Sequence, residues 1–249
     1  VIVLPAPKLV VRYPTDAAAI GALLPPGLEP CGEPVVHLGV YCAPVHGEPE
    51  FGISTKVPAR FGGVDGWYSL GIGIDQESAI FVSRETNGQP KFPCTVRYFR
   101  IGDRVEASAT HQGTTFFAYR GTVAGERPVD DVEVVEHEWW IKVSRAVGTT
   151  GDEDEPRYDL PPQVVSVRTV GTTVRADALV GELTLAPSRW DPLTDLLPQR
   201  GEATAELVTS RFSARSIAPA GPLDPAAFWP HVDTIGGSRW PGHRGAPRG

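Results

Sequence analysis

Of the 23 basic residues in this 249-residue chain only four are lysines, Lys8, Lys56, Lys91 and Lys142. One of them closes the run Arg84-Glu85-Thr86-Asn87-Gly88-Gln89-Pro90-Lys91. Where arginine is the habitual cation, a lysine behind Gly-x-Pro invites a chemical reading. A guanidinium cannot condense with a ketone, whereas a neutral amine can form an imine. Neutrality near pH 7 requires burial among apolar groups or a second cation close by. Phe92, Pro93 and Cys94 follow and carry no charge, so burial is the expected means. The competing reading of Lys91 is a solvated residue after a turn.

The elements that must position this lysine are short. Twenty-seven glycines and 25 prolines interrupt the chain too often for long helices. Between them lie β-branched and aromatic runs that predict strands at Lys8–Tyr13, Val35–Val40, Trp67–Ile74, Ala79–Val82, Thr95–Ile101, Arg104–His111, Thr115–Val123, Glu138–Val143, Val164–Val170, Glu182–Leu185 and Thr204–Arg211. Two short helices are expected. One is Ala17–Leu24, capped by Thr15 or Asp16 and stopped by Pro25-Pro26-Gly27; the other starts at Asp191-Pro192 and ends at Leu197. The pattern is that of a mainly β protein, antiparallel, with a few short helices. Alternation in Trp67–Ile74 puts Tyr68, Leu70, Ile72 and Ile74 on one face and Ser69, Gly71 and Gly73 on the other. The small second face needs something to fill it, and a single-domain β-barrel or cone with an interior pocket fits.

A net charge of −7 and a pI near 5.4 argue against nucleic acid and anionic membrane as partners. No apolar run approaches the roughly 18 residues of a membrane span, and Val1-Ile2-Val3-Leu4-Pro5 lacks a secretory signature. Methionine is absent, so the gene is expected to start upstream of Val1. Cys31, Cys42 and Cys94 have no metal-ligand spacing and read as reduced thiols in a cytoplasmic protein. The acidic stretch 151–156 reads as a solvated loop, and one domain is expected over residues 1–235. Residues 236–249, rich in Gly, Pro and Arg, read as a poorly ordered tail that Trp240 can anchor.

An ordered series of motifs resembles the acetoacetate decarboxylase superfamily. It comprises Tyr13-x-Thr15-Asp16 followed by Leu23-Leu24-Pro25-Pro26-Gly27-Leu28-Glu29-Pro30, then Gly63-x-x-Gly66-x-Tyr68 with Asp75-x-Glu77-x-Ala79-Ile80. Arg84-Glu85-x-x-Gly88-x-Pro90-Lys91 comes next, and Ser188-x-x-Asp191-Pro192-Leu193-x-Asp195-Leu196-x-Pro198 resembles the late segment. The resemblance implies an oligomer-forming β-barrel or cone with Lys91 as the imine-forming lysine. It implies no metal and no organic cofactor, because the protonated imine is itself the electron sink.

Against the family pattern, Phe92 stands where the decarboxylases carry a second lysine, and Gly39 and Gly52 stand where they carry pocket glutamates. Strand parity offers substitutes: His37 and Tyr41 beside Gly39, Glu50 and Ser54 beside Gly52. Tyr68, Arg84, Glu85 and Gln89 complete the candidate binding or acid/base set. Gly39, Gly52, Gly71, Gly73 and Phe92 are expected to line the pocket, with extra volume above the glycines. Each candidate has a structural alternative, as core, surface or turn-bracing residue. The resulting expectation is a cofactor-independent lyase acting on a small oxo acid through a Lys91 Schiff base, nominally a β-keto acid decarboxylase. A pyruvate-type aldolase-dehydratase is the alternative within the superfamily, and a non-catalytic barrel binding a hydrophobic carbonyl compound lies outside it.

Overall fold

The structure is a computed structural model that describes residues 2–3, 7–45, 47–149, 157–232 and 240. The acidic stretch 151–156 and all of the 236–249 tail but Trp240 lie outside the described residues. Trp240 is buried, and its indole Nε1 donates to the Trp190 carbonyl at 2.9 Å.

Among the described residues, thirteen strands form one sheet: β1 (Ile2–Val3), β2 (Lys8–Pro14), β3 (Glu29–Pro30), β4 (Val35–Val45), β5 (Glu48–Phe61), β6 (Val64–Ile74), β7 (Lys91–Pro93), β8 (Thr95–Ile101), β9 (Arg104–His111), β10 (Thr114–Arg127), β11 (Val134–Arg145), β12 (Tyr158–Leu185) and β13 (Thr204–Pro222). The helices are α1 (Ala17–Leu23), α2 (Glu77–Asn87), α3 (Leu193–Leu196) and α4 (Pro225–Phe228). Pairing is antiparallel except where β6 meets β11 and β7. From β13 the ladder passes through β2, β4, β5, β6, β11 and β12, and β12 pairs with β13 again.

Residue alternation gives the sheet two unlike faces. Val36, Leu38 and Val40 of β4 are fully buried in the main apolar core, with Leu9 and Val11 of β2, Ile20 and Leu23 of α1, and Phe116, Phe117 and Tyr119 of β10. The intervening His37, Gly39 and Tyr41 point to the other side, where the neighbouring strands bring Glu50, Ser54, Lys56, Ser69, Lys91 and Glu138. A polar face buried this thoroughly must satisfy its groups internally.

Three sequence expectations need correction. Ala79–Val82 is not a strand: it lies in α2, whose Ala79 and Ile80 pack on Ile72 and Ile74 while Phe81 and Val82 stay exposed. A β-branched run without period-2 burial is equally compatible with one helical side. Strand β5 spans 14 residues although Pro49, Gly52 and Pro58 punctuate it; the two-residue Gly62-Gly63 turn, positive in φ at both positions, folds it back on β6. The predicted runs Val164–Val170 and Glu182–Leu185 belong to one bent 28-residue strand, β12.

Candidate active site

Lys91 opens β7, the short strand that pairs Ile72 with Lys91 along β6. It is delivered there by α2, which ends on Gly88 in the left-handed conformation, φ +67°. A side chain at 88 is excluded twice, by that backbone and by the Ile141 carbonyl and the Lys142 Cα, the latter 2.6 Å from where a Cβ would lie. Arg84 Nη1 donates to the Lys91 carbonyl at 3.3 Å, which braces the turn from the last turn of the helix. Lys91 N donates to the Gln89 carbonyl at 2.7 Å.

The Lys91 side chain is 7% exposed and meets one carboxylate, Glu50 Oε2, at 3.0 Å. Glu50 is itself 3% exposed, and its other oxygen accepts the Tyr41 hydroxyl at 3.1 Å. Burial, then the Glu50 charge and its hydrogen bond, push the Tyr41 phenol well above its ordinary range, so it stays a donor. The triad Lys91–Glu50–Tyr41 thus joins an amine, a proton acceptor and a fixed hydroxyl donor.

A second cluster lies on the same face. Lys56 is ion-paired with Glu138 Oε2, while Glu138 Oε1 accepts Ser69 Oγ at 2.6 Å and Trp140 Nε1 at 2.5 Å. Burial disfavours both charges, yet the pairing outweighs it: Lys56, Ser69 and Trp140 hold the Glu138 carboxyl down at about 2, and Glu138 with Glu136 holds Lys56 above the lysine value. The glutamate charge also reaches Tyr41, so the two clusters share one environment. Sequence reasoning missed Lys56–Glu138 because the parallel β6–β11 contact that joins them leaves no local signature. It also missed the buried pair His111 Nδ1 and Asp191 Oδ2 at 2.7 Å, which ties β9 to the segment before α3.

Of the sequence-derived site residues, Lys91, Glu50, Tyr41, Ser54, His37 and Gly39 share the polar face. His37 is 5% exposed, its ring stacks edge-on to Trp67 at 5.1 Å, and neither ring nitrogen has a hydrogen-bond partner among the described residues. Ser54 Oγ donates to the Gly39 carbonyl at 3.4 Å. Gly39 and Gly52 do lie on this face, but the volume expected above them is occupied. A Cβ on Gly52 would overlap the Tyr41 ring, and one on Gly39 would overlap Lys8.

Four residues fall on the wrong side. A bulge sets Thr55 opposite Gly71 but Lys56 opposite Ser69, so Leu70 is the extra residue and alternation reverses there. Ser69 therefore shares the polar face with Ile72 and Ile74, while Gly71 and Gly73 turn to the apolar side, Gly73 against Phe92 and Cys94. Phe92 alternates with Lys91 and packs in the apolar core, edge-on to His111. Tyr68 lies in that same core, where burial raises its phenol. Glu85 is an exposed residue of α2, its carbonyl bonded by Lys142 Nζ and its carboxylate 3.9 Å from that amine, outside the Lys91 cluster. A surface hollow of about 570 Å³ borders α2 and β11 at Phe81, Arg84, Glu85 and Lys142; Lys91 does not line it.

The sequence profile of the acetoacetate decarboxylase (ADC) family matches residues 5–216. The chain belongs to that family. Its fold is similar to a solved acetoacetate decarboxylase, with a TM-score of 0.71 and 17% identity over 87% of this chain and 88% of that one. The enzyme from Legionella pneumophila subsp. pneumophila str. Philadelphia 1 gives 0.69 and 19%, over 89% and 86%. The enduracididine biosynthesis enzyme MppR, solved with the condensation product of pyruvate and imidazole 4-carboxaldehyde, gives 0.63 and 16%, over 85% and 87%. No curated protein matches the chain.

Proposed function

We propose that the protein is a cofactor-independent lyase in which Lys91 forms a Schiff base with a small oxo acid, and that its reaction is decarboxylation of a β-keto acid. The observation that carries this reading is the buried Lys91–Glu50–Tyr41 triad at the end of the family motif. Glu50 takes the proton that the amine must shed before attacking the carbonyl carbon, and returns one as the carbinolamine loses water. The iminium then accepts the electron pair of the bond to the carboxyl group. Carbon dioxide leaves, the enamine takes a proton on carbon, and water releases the ketone.

We read the self-returning ladder as a closed barrel whose polar lumen holds this chemistry, in an oligomer of identical subunits. The three free thiols support a cytoplasmic location. Open volume above Gly39 and Gly52 would favour a larger, two-component aldol substrate; Tyr41 and Lys8 fill that volume, so decarboxylation takes precedence here. Borohydride reduction in the presence of acetoacetate or pyruvate, with mass-spectrometric mapping, tests the reading. Ligand mass on Lys91 alone is expected. Mass on Lys8, Lys56 or Lys142 instead would end the assignment, and no adduct with any oxo acid would leave a carbonyl-binding barrel. Product from pyruvate and an aldehyde, without carbon dioxide release from a β-keto acid, would move the reaction to the aldolase-dehydratase class.

A further inference from the structure

Two arginines and a glutamate from three strands meet on the polar face. The row Arg127–Ala176–Val208–Lys8 and the next one, Glu206–Val10–Gly39–Ser54–Ile72–Lys91, run transversely through the sheet, so their side chains share the face that carries Lys91. Arg12, two residues beyond Val10 on β2, points to the same side. Glu206 Oε1 accepts Arg12 Nη1 at 2.6 Å, and Oε2 accepts Arg127 Nη1 at 2.7 Å. The Glu206 side chain is 11% exposed, those of Arg12 and Arg127 38% and 58%. A buried carboxylate thus holds two guanidiniums by one nitrogen each and leaves their outer edges open.

Arg12, Arg127 and Glu206 line a hollow of about 430 Å³, within the roughly 300–1,000 Å³ of small-molecule sites. Val132, Val134 and Val208 line it as well, and the first two are exposed although apolar. Asp130 is the remaining charged lining residue, and among the described residues it pairs with neither arginine. Arg12 and Arg127 have no partner there besides Glu206. A guanidinium carries five N–H groups, so Nε and Nη2 of each arginine remain to donate. Lys8, in the same row as Arg127, has no ion pair or hydrogen bond among the described residues, and the Arg12 charge reaches it. As a brace between strands the cluster would need only its two bonds to Glu206; it would need neither a hollow nor an apolar wall.

Guanidiniums fixed in advance beside an apolar wall suit an anionic acceptor with a hydrocarbon body, and the planar fork of arginine matches a carboxylate. Asp130 sets the limit on charge, because a second negative group on the ligand would meet it across the hollow. We propose that this hollow is a binding site for a small aliphatic monocarboxylate, with Arg12 and Arg127 taking the anion and Val132, Val134 and Val208 the hydrocarbon. The site is separate from the Lys91 triad and independent of imine formation there.

Pentanoate, pentanol and glutarate are suitable probes, alike in carbon skeleton and different in charge. Calorimetric titration of the full chain should show saturable binding of pentanoate, at least about tenfold tighter than of the alcohol or the dianion, the factor that 1.4 kcal/mol supplies. Arg127→Gln should weaken pentanoate by a similar factor. So should Val134→Asp, which leaves the bonds of Glu206 to both arginines in place and sets a second carboxylate in the apolar wall. Asp130→Asn should bring glutarate up towards pentanoate. Absence of saturable pentanoate binding, equal affinity for acid and alcohol, or undiminished binding in Arg127→Gln or Val134→Asp would overturn the site; glutarate bound as tightly as pentanoate by the parent chain would overturn its restriction to monocarboxylates. Lys91→Arg should bind pentanoate as the parent chain does, and a loss there would assign the ligand to the triad and remove the separate site.

Discussion

Two buried lysine–glutamate pairs share one face of the sheet, and they are satisfied to different degrees. Glu138 accepts from Lys56, Ser69 and Trp140 at once, three donors on its two oxygens. Among the described residues Glu50 accepts from Lys91 and Tyr41 only. A carboxylate held by three donors is a poor proton acceptor, since each bond favours its ionised form. One held by a lysine and a single phenol keeps lone pairs open to a further donor. The difference fits a structural role for the first pair and the reactive role proposed for the second, although their residue types are the same.

The comparison is broken most completely at the reactive amine. Lys91→Arg keeps the positive charge but cannot form the imine, so trapping and turnover should vanish while thermal unfolding shows an intact fold. Retained activity would place the chemistry on another residue. Next in size, Glu50→Gln should lower the rate of trapping by about 10²- to 10⁴-fold, the range of a general acid or base, with stability changed far less than rate.

The complementary substitution, Glu138→Gln, should do the reverse. It leaves the buried Lys56 ammonium with only the half-exposed Glu136 carboxylate at 3.9 Å, a loss of up to about 3–5 kcal/mol, visible as a lower denaturant midpoint. Trapping per folded molecule should hardly move. If Glu138→Gln instead abolished trapping in a protein still folded, the two pairs would be one functional unit.

How the chain discloses these two pairs differs in the same way. Lys91 and its bracing Arg84 are legible because one contiguous run, helix end to strand start, encodes them. Glu50, Tyr41, Ser54 and His37 followed from strand parity about Gly39 and Gly52, which holds wherever β4 and β5 are regular. Parity failed for Gly71 and Gly73, because a bulge is a property of two paired strands and not of either sequence. Lys56–Glu138 was invisible for the same reason: its residues are 82 positions apart and meet only through tertiary pairing. The hidden occupants of the glycine sites, Lys8 and Tyr41, were out of reach too, since a glycine announces space but not what fills it.

Acid titration sharpens the comparison further. Glu138 falls from 4.5 to about 2 on folding. A depressed acidic group stabilises the fold fully above its unfolded value, and that stabilisation fades as pH falls towards the folded one. Stability should thus drop by on the order of 3 kcal/mol between about pH 5 and pH 2 on account of this group alone. In Glu138→Gln that part of the acid slope should be missing, and an unchanged slope would show that the pair does not tighten on folding. The smallest expected effect is at Lys8. Removing its uncompensated charge with Lys8→Met should raise the melting temperature at pH 7 by about 2–4 °C, roughly 1 kcal/mol for a chain of this size; a marked fall would mean that the amine has a partner in the folded protein.

The extra residue at Leu70 reaches beyond its own strand. Upstream of it β6 sends Ser69 to the glutamate of β11, and downstream of it the same strand sets the side on which Lys91 emerges through the Ile72 pairing. The strand is thus read in two frames, like a message with one inserted letter. An alignment of this chain to a relative that lacks the bulge has to be made separately on either side of Leu70. An ungapped one would there exchange the polar face for the core over part of β6 and carry residues across to the wrong side.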